Sequence, residues 1–178
     1  KRRQRQALKL QWSQDDESGA ATMKIKYTHT NINAYDWEKL SQFYKDVFGC
    51  YTVGPMRDLK GDWFEKVTGI KDAAVKGEHI ALPGYPEGEG PTFEIFTYEV
   101  PDGERPAHIN GYGFAHVAFL VEDVEEIFEK FQAHGGTANG ELVKSYYPSL
   151  DQTLTVVYGL DPEGNSVEIL NWKPGNCE

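Results

Sequence analysis

His29-Thr30-Asn31-Ile32-Asn33-Ala34-Tyr35-Asp36 returns 87 residues later as His116-Val117-Ala118-Phe119-Leu120-Val121-Glu122-Asp123. The same offset pairs Leu40 with Ile127, Tyr44 with Phe131 and Gly49 with Gly136, so the chain holds two copies of one unit. In each copy the polarity pattern shifts at the aspartate from a period of two to about 3.6, and a strand gives way to a helix. Trp37, Leu40, Tyr44, Val47 and Phe48 make the apolar stripe of the first helix, and Val124, Ile127, Phe128 and Phe131 that of the second. Asp36 and Asp123 are natural N-caps, because a carboxylate there accepts free amide protons of the first turn and faces the positive end of the helix dipole. Glu126 completes a capping-box spacing. Gly49 and the pair Gly135-Gly136 supply the left-handed residue that ends each helix.

Strand-like runs follow each glycine, at residues 74–82 in the first copy and at 141–147 and 153–158 in the second. Each copy closes on a related strand, Phe93-Glu94-Ile95-Phe96 and Val167-Glu168-Ile169-Leu170. Both are reached through turn-rich stretches, residues 83–91 and Asp161-Pro162-Glu163-Gly164-Asn165. The unit is βαβββ, present twice, which makes the fold class α+β. The stretch 54–70, with Trp63 and Phe64, reads as an insertion placed to cover a site.

A chain of 178 residues is one domain in length and can bury roughly two thirds of its unfolded surface. Charged or turn residues interrupt every apolar run well short of the roughly 18 residues that would span a bilayer, so no membrane partner is expected. Twenty-eight acidic residues face 18 basic ones, and the first 22 residues carry +2, leaving −12 on the remainder. Such a surface argues against nucleic acid, which needs a clustered basic face. Cys50 and Cys177 are too few for a disulfide framework, and a reducing, cytoplasmic setting is expected. Residues 1–22 lack apolar periodicity and read as a disordered leader or non-native segment. The domain is expected over 23–173, with module one at about 23–100, module two at about 112–173 and a tail at 174–178.

The chemistry lies in the strands. Each copy offers a histidine early, His29 or His116, and a glutamate late, Glu94 or Glu168, among apolar neighbours where an unpaired charge would cost several kcal/mol. Two imidazoles and two carboxylates converging on one point suit a divalent transition metal with open positions for substrate. The other histidines carry structural readings: His79 in a strand beside Ile80, His108 in a turn-rich linker, and His134 at a helix exit where a cation suits the dipole.

The runs from His29 to Asp36 and from Phe43 to Gly49, then from Gly113 to Asp123, and the final Asp161 to Glu168, resemble the vicinal oxygen chelate superfamily. That group includes glyoxalases, bleomycin-resistance proteins and extradiol dioxygenases, and the resemblance spans about residues 24–172. It implies cupped mixed sheets around one metal ion, held at this sequence's His29, Glu94, His116 and Glu168. Glu94 fills the second slot as in glyoxalase I. The implied chemistry is binding of two vicinal oxygens of a carbonyl compound by the metal, enediolate formation, and proton shuttling by Glu168 and by Glu94. The metal is then nickel, cobalt, zinc or manganese, or iron if the protein is a ring-cleaving dioxygenase.

The glyoxalase I positions that hold glutathione carboxylates through Arg, Asn and Arg are occupied here by Asn33, Tyr98 and Tyr112. Loss of the guanidinium forks disfavours a glutathione conjugate, although Arg57, Arg105 or Lys144 could supply a local contact. Tyr27, Trp63, Phe64, Phe96, Tyr112, Phe114, Tyr146 and Tyr147 either wall a pocket or fill the sheet cores. The readings are therefore a metal-dependent lyase or isomerase on a small carbonyl substrate, an Fe(II) dioxygenase, or a non-catalytic drug- or metabolite-binding protein. Because the family pairs its modules within one chain or between chains, a homodimer is expected.

Overall fold

Each copy of the repeat builds its own sheet. The computed structural model describes residues 27–99, 101, 103 and 113–177; expectations for residues 1–22, Arg105, His108 and Tyr112 lie outside them. Module one runs β1 (His29–Asn33), α1 (Trp37–Phe48), β2 (Tyr51–Lys60), α2 (Asp62–Thr68), β3 (Ala74–Ala81) and β4 (Thr92–Tyr98). Module two runs β5 (His116–Leu120), α3 (Val124–Ala133), β6 (Thr137–Ala138), β7 (Val143–Tyr147), β8 (Gln152–Leu160) and β9 (Ser166–Pro174). The sheets have the orders β1-β4-β3-β2 and β5-β9-β8-β6, with β7 also paired to β8. The first and last strands of each module run parallel, and the other pairs are antiparallel. No helix among the described residues is long and apolar enough to cross a membrane.

Helices α1 and α3 start as the sequence predicts: the Asp36 carboxylate accepts from the Lys39 amide at 3.1 Å and Asp123 from the Glu126 amide at 2.9 Å. The exits differ. Gly49 ends α1 in the left-handed region, whereas α3 passes through His134, whose Nδ1 lies 2.8 Å from the Lys130 carbonyl oxygen, before Gly135 at φ 101°. Gly136 is needed for space rather than for φ, since a Cβ there would stand 2.2 Å from the Phe131 ring. The second strand of module one, β2, runs through Gly54-Pro55, part of the stretch that the sequence reads as an insertion. It forms as an edge strand with an irregularity between Val53 and Arg57, the one setting where a strand tolerates a missing amide proton.

Each sheet packs one face against the helices. In module one these residues are Ile80, Phe93 and Ile95; in module two they are Phe119, Val157, Val167 and Ile169, and all belong to one core with Leu40, Tyr44, Val124 and Phe131. Phe48 stacks on Phe119 with ring centres 3.8 Å apart, and Phe43 meets Phe131 edge-on at 5.1 Å, so the modules share this core. Polar clamps fix their relative placement. The buried Tyr44 hydroxyl donates to Asp161 Oδ2 at 2.9 Å, and the Glu163 carboxylate accepts from the Tyr35 and Asp36 amides at 2.7 and 2.8 Å. The turn before β9 of module two thus holds the start of α1 in module one.

Candidate metal centre

The histidines and glutamates lie on the sheet faces turned away from this core. In module one, cross-strand register sets Asn31, Glu94 and His79 side by side on β1, β4 and β3. His29 Nε2 is 3.1 Å from Glu94 Oε2, and His79 Nε2 is 2.7 Å from Glu94 Oε1. The two imidazoles stand edge to face at 5.7 Å. Burial raises the Glu94 pKa, but the close approach of His79 and the charges of His29, His79 and Arg57 outweigh it, and the carboxyl is held below its usual range. Shelter comes from the stretch read as an insertion. Phe64 of α2 packs in a small second core with Ala73, Val75 and Phe96, flanked by Leu59 and Tyr98, and Phe96 in turn meets the His79 ring edge-on.

Module two repeats the pattern with one exchange. His116 Nε2 lies 3.2 Å from Glu168 Oε2, and the residue opposite Glu168 on β8 is Tyr158. The Tyr158 ring meets His116 edge-on at 5.3 Å. Burial first, then the Glu168 charge and a hydrogen bond to that carboxylate, push the Tyr158 phenol above its ordinary value. A phenol therefore occupies in module two the register position held by the His79 imidazole in module one.

The structure thus places the four expected ligands as two pairs, one on each sheet. Among the described residues, the only three histidine, cysteine, aspartate or glutamate side chains whose ligand atoms lie within 4.8 Å of one another are His29, His79 and Glu94. His79, read as structural from the sequence, lies beside His29 and Glu94 in this cluster. This donor set fits a divalent cation. The Nδ1 of His79 faces Thr92 Oγ1 at 3.2 Å, while its fully buried Nε2, close to Glu94, has no aligned hydrogen-bond partner. Imidazole and carboxylate are also the donors that zinc, nickel, manganese and ferrous iron accept.

Asn33 lies on the same strand face as His29, and Tyr98 on that of Glu94. The aromatic residues divide: Phe64 and Phe96 are buried in the second core, whereas Trp63 and Phe114 are exposed. Tyr27 bonds Thr30, Tyr146 donates to Asp151 at 2.8 Å, and Tyr147 packs on Trp172. Lys144 is engaged by Glu125 at 2.9 Å. Cys50 is buried, and that burial pushes its thiol up to about 12. Two open depressions, one against α2 and one at the start of α1, touch none of the histidine–glutamate pairs.

Residues 26–169 match the family model described as the glyoxalase/bleomycin resistance protein/dioxygenase superfamily. A lactoylglutathione lyase of Neisseria meningitidis is 26% identical over 152 residues, covering 85% of this chain and 94% of the relative. The crystal structure of a glyoxalase family protein from Bacillus cereus superposes with a TM-score of 0.66 at 20% identity, over 88% of this chain and 99% of that one. The trypanothione-dependent glyoxalase I of Leishmania major gives a TM-score of 0.53 at 22% identity, over 83% and 87% of the two chains.

Proposed function

The chain belongs to the glyoxalase/bleomycin resistance protein/dioxygenase superfamily, and from that premise we propose that it is a divalent-metal-dependent lyase or isomerase acting on a small carbonyl compound. The observation that carries this reading is the repeated pair: histidine and glutamate 3.1 and 3.2 Å apart, at matching strand positions, on the face of each sheet turned away from the shared core. His29, Glu94, His116 and Glu168 hold the ion. When bound, a divalent cation polarises two adjacent substrate oxygens and acidifies the neighbouring C–H. Glu168 accepts that proton and returns it at the adjacent carbon, with Tyr158 positioning its carboxylate, and Glu94 is the second proton-handling candidate.

The substrate is a compound without a glutathione-like pair of carboxylates. Asn33 and Tyr98 offer no positive charge, and the charge of Arg57 is partly answered by Glu94, whose carboxyl it helps to hold down. The active unit is a homodimer in which the module-one face of one chain meets the module-two face of its partner. Support comes from the openness of the module-two face, on which Leu120 is 73% exposed on the strand that carries His116, whereas proton abstraction from carbon calls for a walled, dry pocket.

Metal content after prolonged dialysis tests the ligand set: about one equivalent is expected to stay with the native protein, while His116→Ala, which holds the ion more weakly, is expected to lose it. Glu168→Gln is expected to keep the metal and lose turnover and substrate C–H exchange with solvent; intact turnover there would remove Glu168 from the chemistry. A second reading, ring cleavage by Fe(II), is favoured by the two-histidine, one-carboxylate grouping of His29, His79 and Glu94, a set that suits non-haem iron. Iron as the bound metal, with oxygen uptake on catechols, would select it.

A further inference from the structure

We propose that His79 is a metal ligand, and that His29, His79 and Glu94 form a three-donor site by which module one binds a divalent transition cation without His116 or Glu168. The inference extends the four-residue reading above, which assigns His79 no part.

Three features of His79 carry it. The side chain is buried on the central strand β3, only 6% exposed, where an imidazole without a full set of partners is costly. Thr92 Oγ1, 3.2 Å from Nδ1, fixes the ring so that Nε2 is aimed at Glu94. That Nε2 is 2.7 Å from Glu94 Oε1 but off the line of a hydrogen bond. A ring nitrogen and a carboxylate oxygen held this close on adjacent strands present two donor atoms to one side of the sheet, where a single cation can reach both. His29 brings a second imidazole nitrogen to the other oxygen of the same carboxylate at 3.1 Å. Donor atoms within 4.8 Å of one another can each reach one cation at about 2.0–2.2 Å with small side-chain shifts. Thr92 then supplies the outer-shell bond that metal-bound imidazoles characteristically make.

Module two is the internal control. At the same register it carries the phenol of Tyr158 in place of an imidazole, so His116 and Glu168 make only a two-donor pair. The two halves of the repeat are therefore unequal: module one anchors the ion, and module two completes its coordination.

The test is a titration of metal-free protein with Co²⁺, read by d–d absorption and calorimetry, with folding checked by circular dichroism. In a His116→Ala, Glu168→Gln double variant, one equivalent is expected to bind, more weakly than in the native chain but with a nitrogen-ligand spectrum. Adding His79→Asn, which keeps a polar group beside Thr92, is expected to weaken that binding by more than about 100-fold, beyond the roughly 10- to 100-fold cost of losing an outer-shell partner. His79→Gln serves as the second variant should the asparagine disturb the fold. If the native protein binds cobalt but the double variant does not, or if changing His79 costs less than about 100-fold, the inference falls and the four-residue reading stands. Equal affinity in native and double-variant protein would instead uphold His79 and remove His116 and Glu168 from the ligand set.

Discussion

Tyr44→Phe isolates the polar clamp that joins the modules. The substitution removes one hydroxyl from a fully buried ring and leaves its contacts with Phe43, Phe93 and Phe119 in place. What is lost is the 2.9 Å bond to Asp161 Oδ2; the Asp161 carboxylate keeps the Glu163 and Asn165 amides and the Asn165 side chain. A hydrogen bond to a charged group contributes about 1.5–3 kcal/mol. For a chain of this size each kcal/mol moves Tm by about 2–4 °C, so a drop of about 3–12 °C is expected. The penalty depends on pH with a definite sign. Burial raises the Asp161 pKa, and bonds from Asn165, the backbone and Tyr44 pull part of that shift back. Loss of the Tyr44 bond raises it further, so the penalty is greatest where Asp161 is ionised and shrinks as pH falls through its folded value. Urea unfolding at several pH values measures this, with an unchanged m-value expected. A loss below about 0.5 kcal/mol at neutral pH, or one that grows on acidification, would refute the assignment.

Chain mixing tests the shared site. His29→Ala and His116→Ala homodimers, each lacking a ligand at every site, are expected to regain metal and activity when subunits exchange, because one of the two sites in a mixed dimer is then intact; no recovery would place each site within one chain. For the cysteines, exposed Cys177 is expected to react with a thiol reagent within minutes at pH 8, and buried Cys50 only on unfolding. Two fast thiols per native chain would contradict that burial.

The parts of the fold that repeat were the parts legible in the sequence. The capped helices and the outer strands β1, β4, β5 and β9 carry periodicity, caps and internal similarity at once, and agreement among those signals is what makes a segment readable. β2 carries the opposite signals, a glycine and a proline mid-strand, and only its edge position reconciles them. The His29–Glu94 and His116–Glu168 pairings follow from alternation and the repeat. His79 has neither aid, because its counterpart in the second copy is Tyr158, and its place beside Glu94 depends on the β3–β4 register. That register is set by the length of the intervening turn and by packing across the sheet, information that no local pattern holds.

The common core also constrains how such a chain could have arisen. Leu40, Tyr44, Ile95, Phe119, Phe131 and Ile169 lie in one interior supplied from both halves. A polypeptide with a single βαβββ unit would leave that helix-bearing face uncovered, and burial of apolar area at roughly 25 cal/mol per Å² would drive it to associate with another copy of itself. A half-length ancestor would accordingly have existed as a pair before any fusion. Joining the two would then have turned an association dependent on concentration into one enforced by the chain, free to let its halves diverge as His79 and Tyr158 have done.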